Sequence, residues 1–257
     1  MSKNVEHIVL YSGGISSFCT ALLLKELGQN PLLVFCDTKT EDEDLYRFLN
    51  ETVEHLGCEM QWLEDGRDVW EVFTDVKYMG NNRIDPCSRI LKRDLFKKWL
   101  ANNYKPDECI LHYGINADES HRIDRLKERW LPYTAKSPLC DIRPVWTAKT
   151  MNEKLKETGI KRPRLYDYGF PHNNCGGFCV KSGQAQFKNL YKHFPERYME
   201  HELRQEKLFE KIGPRGFIRK TVGGVLRYLS LREFRLEFLE VDGDVDPYDF
   251  GGCECFA

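Results

Sequence analysis

The stretch His7-Ile8-Val9-Leu10-Tyr11-Ser12-Gly13-Gly14-Ile15-Ser16-Ser17 decides the fold. His7 to Tyr11 is a short apolar run, the pattern of a buried strand. An amphipathic helix is expected from Ile15 to about Leu27. Between them lies a Gly/Ser loop. Its two adjacent glycines let the backbone turn tightly and approach a ligand without a Cβ in the way. The helix directs its unpaired N–H groups and its positive dipole end back at the loop, and the serine hydroxyls add donors. Strand, loop and helix N-terminus together specify an anion site, for phosphate or pyrophosphate. A plain tight turn is the simpler alternative.

Outward from this stretch, strand and helix patterns alternate. Pro31 to Thr38, Cys58 to Leu63 and Glu108 to Asn116 read as further strands. Helices are expected after Thr40, at Asp68–Tyr78 and at Ser88–Asn102. Thr40 and Glu43 have capping-box spacing, followed by Leu45, Phe48, Leu49 and Val53 on one face. This alternation predicts an α/β fold: a parallel twisted sheet with helices on both faces and right-handed crossovers. The strand-end loops at 12–17, 37–40 and 116–122 should converge at the carboxyl edge of the sheet, where ligands bind. After Pro144 the character changes. A helix near Ala148–Thr158 precedes a Pro/Gly/Tyr/Cys-rich stretch from 159 to 183, then helices at about 184–194 and 196–212. A Gly-containing turn region is expected at 213–224. Ser230 and Glu233 form a second capping-box pattern before a helix to about Glu240, and the tail should be irregular. The organisation expected is a nucleotide-binding α/β part, residues 1–180, with a C-terminal helical, Cys-containing extension, residues 181–257.

At 257 residues the chain can bury a large core. It has no leader pattern and no apolar run of about 18 residues, so a cytoplasmic protein without membrane contact is expected. Ten cysteines then argue for reduced thiols rather than disulfides. Cys19, Cys36 and Cys109 lie in apolar elements and read as core. Cys175, Cys179, Cys253 and Cys255 lie in Gly-rich, aperiodic segments and require a chemical reason. Charge is uneven: residues 41–75 hold twelve acids against Arg47 and Arg67, whereas residues 181–237 hold thirteen Lys/Arg against seven acids. Two solvated helical faces explain this; so does an anionic partner such as a nucleic acid.

Ser12 to Ser17 resembles the SGGxDS signature of the PP-loop ATP pyrophosphatases, the adenine nucleotide alpha-hydrolase superfamily, with Ser16 where most ATP-cleaving members carry Asp. Four further segments and the tail, in order, resemble the phosphoadenosine phosphosulfate reductase family. These are Pro86 to Lys92, Gly114 to Arg122, the run from Pro144-Val145-Trp146 to Tyr166-Asp167-Tyr168-Gly169, Cys175-Gly176-Gly177-Phe178-Cys179, and the tail pair Glu254-Cys255. The resemblance covers about residues 7–180 plus the tail. It implies that Ser12, Gly13, Gly14, Ser16, Ser17, Asp37, Gly114, Glu119 and Ser120 hold the nucleotide, either ATP or adenylyl sulfate, with Mg as a further candidate. Lys92, Arg122 and Arg89 can contact sulfate or phosphate oxygens. Asp37 is a ribose or magnesium partner or else a turn residue, and Asp118 a helix cap.

Cys87, Cys175 and Cys179 fall where iron–sulfur members of the family hold a 4Fe-4S cluster. Ser88 replaces the second cysteine of a doublet, and the later pair is spaced by three residues rather than two. A fourth ligand would come from His172, Cys140, Cys253 or Cys255. Tetrahedral Zn on Cys175, Cys179, Cys253 and Cys255 and free redox thiols are the alternatives. Three functions follow from the resemblance. The first is ATP-dependent adenylation with sulfur transfer to an acceptor, tRNA or DNA among the candidates, from a sulfur donor. The second is a sulfonucleotide reductase in which Cys255, or Cys253, attacks the sulfate sulfur and a thioredoxin-like reductant or other thiol releases sulfite. The third is a nucleotide-binding regulator without chemistry.

Overall fold

The computed structural model describes residues 5–81 and 83–252. Strands β1 (Glu6–Leu10), β2 (Leu32–Asp37), β3 (Met60–Glu64), β4 (Cys109–His112) and β5 (Thr134–Lys136) form one parallel sheet in the order β3-β2-β1-β4-β5. A parallel sheet is covered on both faces, so its strands are apolar throughout. Ile8, Val9, Leu33 and Leu111 have no exposed surface. The helices are α1 (Ile15–Glu26), α2 (Glu43–Leu56), α3 (Val69–Asp75), α4 (Pro86–Ser88), α5 (Leu95–Asn103), α6 (Ile123–Trp130), α7 (Pro138–Asp141), α8 (Ala148–Glu157), α9 (Arg164–Asp167), α10 (Gln184–His193), α11 (Pro195–Ile212) and α12 (Leu231–Phe234).

Alternate residues of the strands feed two cores. Val9, Leu33 and Phe35 pack with α1, α2, α7 and α8; Ile8, Leu10 and Val34 pack with α5 and α6 on the other face. A third core joins Val69, Trp70 and Phe73 of α3 to Phe187, Tyr198 and Phe234 of the C-terminal helices and to a hairpin, β6 (Ile218–Val222) with β7 (Val225–Leu229). Among the described residues no helix is long and apolar enough to cross a membrane.

Several expectations are corrected. The turn region at 213–224 contains the hairpin's first strand. Gly223 and Gly224, both at positive φ (56° and 80°), make its two-residue loop, the geometry that matches strand twist. β5, only three residues long, and α6, an amphipathic helix that buries Leu126 and Trp130, lie in residues 117–143, where no element is expected. The helix expected at 88–102 is present and unbroken from Pro86 to Asn103, with a π-type segment, Arg89–Asp94, between α4 and α5. The last expected helix is present to Leu239, its first turn α12 passing directly into a π-type segment, Arg235–Leu239. Its capping box is formed by Ser230 and Glu233 as anticipated. The N-terminus of α2 is capped not by Thr40 but by Asp42, which accepts from Asp44 N at 3.0 Å. Thr40 donates to Thr38 O instead, while Asp42 is buried and held by two arginines.

Those arginines explain part of the charge asymmetry. Arg164 donates to both Asp42 oxygens at 2.7 and 2.9 Å, and Arg197 of α11 donates to one at 2.8 Å. Arg204 lies 2.6 Å from Asp68. Acidic and basic stretches far apart in sequence thus meet in the fold.

Candidate functional site

β1 has β2 on one side and β4 on the other, so the connections that leave β1 and β4 run in opposite directions, to β2 and to β5. A crevice opens outside the carboxyl ends at such a switch point. It is walled by Ser12, Gly14, Ser16 and Ser17, by Tyr113 to Ile115 at the exit of β4, by Glu119 and Arg122, and by Tyr166 and residues 172–174. The loop is fixed from within: Ser17 Oγ donates to Gly14 O at 2.8 Å, and Asn173 Nδ2 donates to Gly13 O at 2.9 Å. Gly13 has φ +73°, and a Cβ there would lie 2.9 Å from Leu45. Gly114 is needed for a different reason. A Cβ at Gly114 would lie 2.7 Å from Ser17 N, so the exit of β4 can touch the loop only as glycine. Among the described residues no side-chain cap is recorded at the N-terminus of α1, which opens with Gly14.

Three buried polar atoms on this wall have no hydrogen-bond partner among the described residues: the Tyr113 hydroxyl, Arg122 Nε and Asn173 Oδ1. Each such atom costs about 1–3 kcal/mol if it stays unpaired, so this wall is built for a polar ligand. Burial pushes the Tyr113 phenol well above its ordinary range, keeping it a donor. The other edge of the Arg122 guanidinium is hydrogen-bonded to Glu119. The wall thus presents a phenol, a guanidinium and backbone amides as donors.

Of the residues expected here, Ser12, Gly14, Ser16, Ser17, Gly114, Glu119 and Arg122 line the cavity, while Gly13 shapes it from behind. Ser120 is exposed outside the wall. Asn116 rather than Asp118 caps the following turn, accepting from Asp118 N at 2.9 Å. Asp37 is not a wall residue: one carboxylate oxygen accepts from Lys39 N at 2.8 Å and from Tyr46 Oη at 2.9 Å, the bonding of a turn residue. Loop 37–40 therefore packs elsewhere, with Thr40 O against Gly176. Lys92 is buried 3.5 Å from Glu41, whose carboxylate also accepts from Cys175 N, so it lies beneath the cysteine loop. Arg89 is exposed, 4.0 Å from Asp94. Sequence reasoning missed Tyr113, Tyr166, Asn173 and the position of His172. Tyr113 sat inside an apolar run, and the others fell in the aperiodic stretch 159–183.

A second, smaller cavity of about 10 Å3 adjoins the first. Cys175 and Cys179 line it, with His172 and Asn174 shared between the two. Cys175, Gly176 and Gly177 all have positive φ (52°, 56° and 87°), and Arg197 donates to Gly176 O at 2.8 Å. The Cys87 segment is tied to the same place, for Asp85 lies 3.8 Å from Lys181, and Pro86 and Val180 both crowd Gly80. Among the described residues no three His, Cys, Asp or Glu are disposed to hold a metal ion. Cys253 and Cys255 lie outside the described residues. Cys19, Cys36 and Cys109 are core residues, with thiols pushed up by burial to about 12, 12 and 11.

The sequence matches the phosphoadenosine phosphosulfate reductase domain over residues 6–213. It is 28% identical over 234 residues to the uncharacterized protein MJ0066 of Methanocaldococcus jannaschii, covering 88% of this chain and 46% of that protein. The chain thus spans about half the length of this curated relative. Among solved structures, a predicted subunit of a tRNA methyltransferase from Methanocaldococcus jannaschii matches with TM-score 0.37 and 23% identity, over 60% of this chain and 76% of that one. The phosphoadenylyl-sulfate reductase of Candida auris, in a phosphate complex, matches with TM-score 0.46 and 11% identity, over 65% and 78%.

Proposed function

The chain belongs to the phosphoadenosine phosphosulfate reductase domain family, a family of enzymes that bind adenine nucleotides, and from that premise we propose that it couples an adenine nucleotide to sulfur transfer. One observation carries this reading: the cavity at the β1–α1 loop and the Cys175/Cys179 cavity share His172 and Asn174 as a common wall. ATP would seat its phosphates on Ser12, Ser17 and the α1 N-terminus, with Arg122 and Tyr113 donating to oxygens and Asn173 Oδ1 accepting. An acceptor oxygen attacks the α-phosphorus, the bond to the bridging oxygen breaks, and pyrophosphate leaves with the electron pair. The terminal sulfur of a cysteine persulfide, charged by an external sulfur donor, then attacks the adenylated carbon and AMP departs. A second thiol attacks the carrier cysteine's sulfur, the S–S bond breaks to release the thiolated acceptor, and an external thiol reduces the disulfide left behind. Glu119 is the one carboxylate among the described wall residues, and Arg122 holds it. Ser16 contributes no charge where an aspartate would.

Titration of the full chain with Mg-ATP, adenylyl sulfate and its 3′-phosphorylated form tests this. Tight ATP binding with pyrophosphate release on adding an acceptor is expected. Preference for a sulfonucleotide, with sulfite release lost in Cys255→Ser, would replace the reading with a reductase. Binding without turnover of either would leave a regulator.

A metal centre is a second reading, supported by the approach of the Cys87, Cys175 and Cys179 segments. The described residues alone do not complete a ligand set, so no step is routed through a metal. Iron, zinc and acid-labile sulfide assays on anaerobically purified protein decide it, and the absence of all three would end it.

A further inference from the structure

Much of the basic charge in residues 181–237 is neutralised within the fold: Arg197, Arg204, Arg227, Arg232 and Arg235 are all held by carboxylates. Lys188 and Lys192 are not. Both are exposed on α10, one turn apart, and neither has an ion-pair partner among the described residues. Like charges at that spacing repel, and a bound anion removes the repulsion. From Tyr168 to Pro195 the chain carries no acid at all. Tyr168 itself is 40% exposed. We infer that this ridge binds single-stranded nucleic acid, stacking a base on Tyr168 and setting phosphates against Lys188 and Lys192. The inference rests on the reading above and names its acceptor: a nucleobase, whose carbonyl oxygen sits on carbon as that reading requires.

The ring is held in place by its neighbours. Its centroid lies 4.8 Å from that of His193, and 5.2 Å from that of Phe194, which it meets edge-on. Asn189 Nδ2 donates to Gly169 O at 3.2 Å and so ties the turn after Tyr168 to α10. Asn189 and His193 stand one turn apart on that helix, and Lys188 and Lys192 directly precede them, about 100° round its axis. Ring and cations therefore occupy adjoining faces. Asp167, the acid beside Tyr168 in the chain, is held by Arg162. Phosphates approaching the ring thus meet no unpaired carboxylate from its own segment.

Chain length puts the ridge beside the nucleotide cavity. Tyr166, which lines that cavity, is two residues from Tyr168, and His172, which also lines it, is four. At no more than about 3.6 Å per residue, the Tyr168 Cα lies within about 7 Å of the first and about 14 Å of the second. A strand stacked on the ring is held next to the site where an acceptor is needed. The ring is also what selects a nucleic acid among polyanions, because every base offers a π-face to stack. It favours a single strand, whose unpaired bases can be splayed out onto an aromatic side chain. An acidic protein would meet the same lysines without using the ring.

The test is fluorescence anisotropy on the full chain without ATP, using labelled single-stranded RNA and DNA of one sequence, about 12 nucleotides long, and the corresponding duplex. A single strand should bind more tightly than the duplex, and the preferred sugar identifies the source of the acceptor. Tyr168→Ala should weaken binding about tenfold, the scale of one lost stacking contact, and Tyr168→Phe should not. Lys188→Gln together with Lys192→Gln should flatten the slope of log K against log salt by about 1.4, at about 0.7 per phosphate contact. Lys207→Gln together with Lys211→Gln removes the same charge from the groove between α3 and α11 and should change neither affinity nor slope. Mg-ATP affinity should stay unchanged throughout, since none of these residues lines the nucleotide cavity. The inference falls if neither strand binds at micromolar protein in low salt, if Tyr168→Ala binds as the wild type does, or if both lysine pairs weaken binding equally. It also falls if polyglutamate displaces the labelled strand as readily as unlabelled strand does, the mark of an acidic protein partner. Strand binding without pyrophosphate release would keep the ridge and remove the adenylation reading. ATP cleavage on another acceptor, without strand binding, would do the reverse.

Discussion

Gly114 shows how one missing Cβ can hold a site together. Gly114→Ala would press a methyl to 2.7 Å from Ser17 N, against backbone that cannot swing aside. ATP affinity should fall by at least about tenfold, the scale of one lost charge-assisted contact, and calorimetry reads it. Tyr113 offers a more discriminating test. Its buried hydroxyl has no partner among the described residues, so Tyr113→Phe should leave the melting temperature unchanged or higher while weakening nucleotide binding. A fall in both would mean that the hydroxyl is structural. At this scale the sequence was legible where a residue type is its own explanation, as with Gly13 and Gly14. It was not legible for Tyr113 or Asn173, whose roles depend on where a strand ends and on which loop returns across 160 residues of chain.

The clamp on Asp42 belongs to the element scale, because it ties α2 to α9 and α11. Burial alone would raise this carboxyl, but hydrogen bonds from Arg164 and Arg197 hold it below the usual carboxylate range. A lowered folded pKa means that the clamp stabilises at neutral pH and loses that contribution as pH falls through the lowered value. Asp42→Ala removes the α2 cap, about 1 kcal/mol, and breaks ion pairs whose arginines are partly exposed. Together about 2–3 kcal/mol should be lost, discounting the pairs for solvent screening; urea unfolding measures it. Thr40 was read as the cap because spacing alone cannot see a carboxylate that Arg164 and Arg197 will bury. The hairpin was missed for a related reason. Its strands alternate Ile218, Lys220 and Leu229 inward with Arg219 and Tyr228 outward, five residues each. Gly223-Gly224 is itself a two-residue hairpin signal, but strands this short, with Val225, Leu226 and Tyr228 all exposed, show no clear apolar alternation to flank it.

Across the whole molecule, acid should be the characteristic stress. Burial pushes His112 down to about 3 and His201 to about 3. Unfolded, each would take up a proton near about pH 6.5. The unfolded state therefore binds more protons throughout the window between about 6.5 and 3, and stability should decline as pH falls through it. His201 Nδ1 accepts from Trp70 Nε1 at 2.9 Å, so protonation there also breaks a buried bond. His201→Gln, which retains an acceptor but cannot ionise, should flatten the decline in thermal melts between these pH values. An unchanged slope would place the acid sensitivity elsewhere. The parallel sheet was legible because its strands are continuous apolar runs separated by periodic helices. The meeting of residues 41–75 with 181–237 was not, since charge balance records an excess without recording where its partner lies.

Trp70 packs on Phe178, with ring centroids 5.3 Å apart, and Phe178 lies between Cys175 and Cys179 in the chain. The same Phe178 ring stacks on His201 at 4.0 Å. The protein thus carries a built-in fluorophore for its cysteine loop. Oxidation, ligation or substrate-driven movement of residues 175–179 must disturb the indole's surroundings, and its emission can be followed in unlabelled protein. Trp70→Phe would silence the signal and identify its source among the five tryptophans.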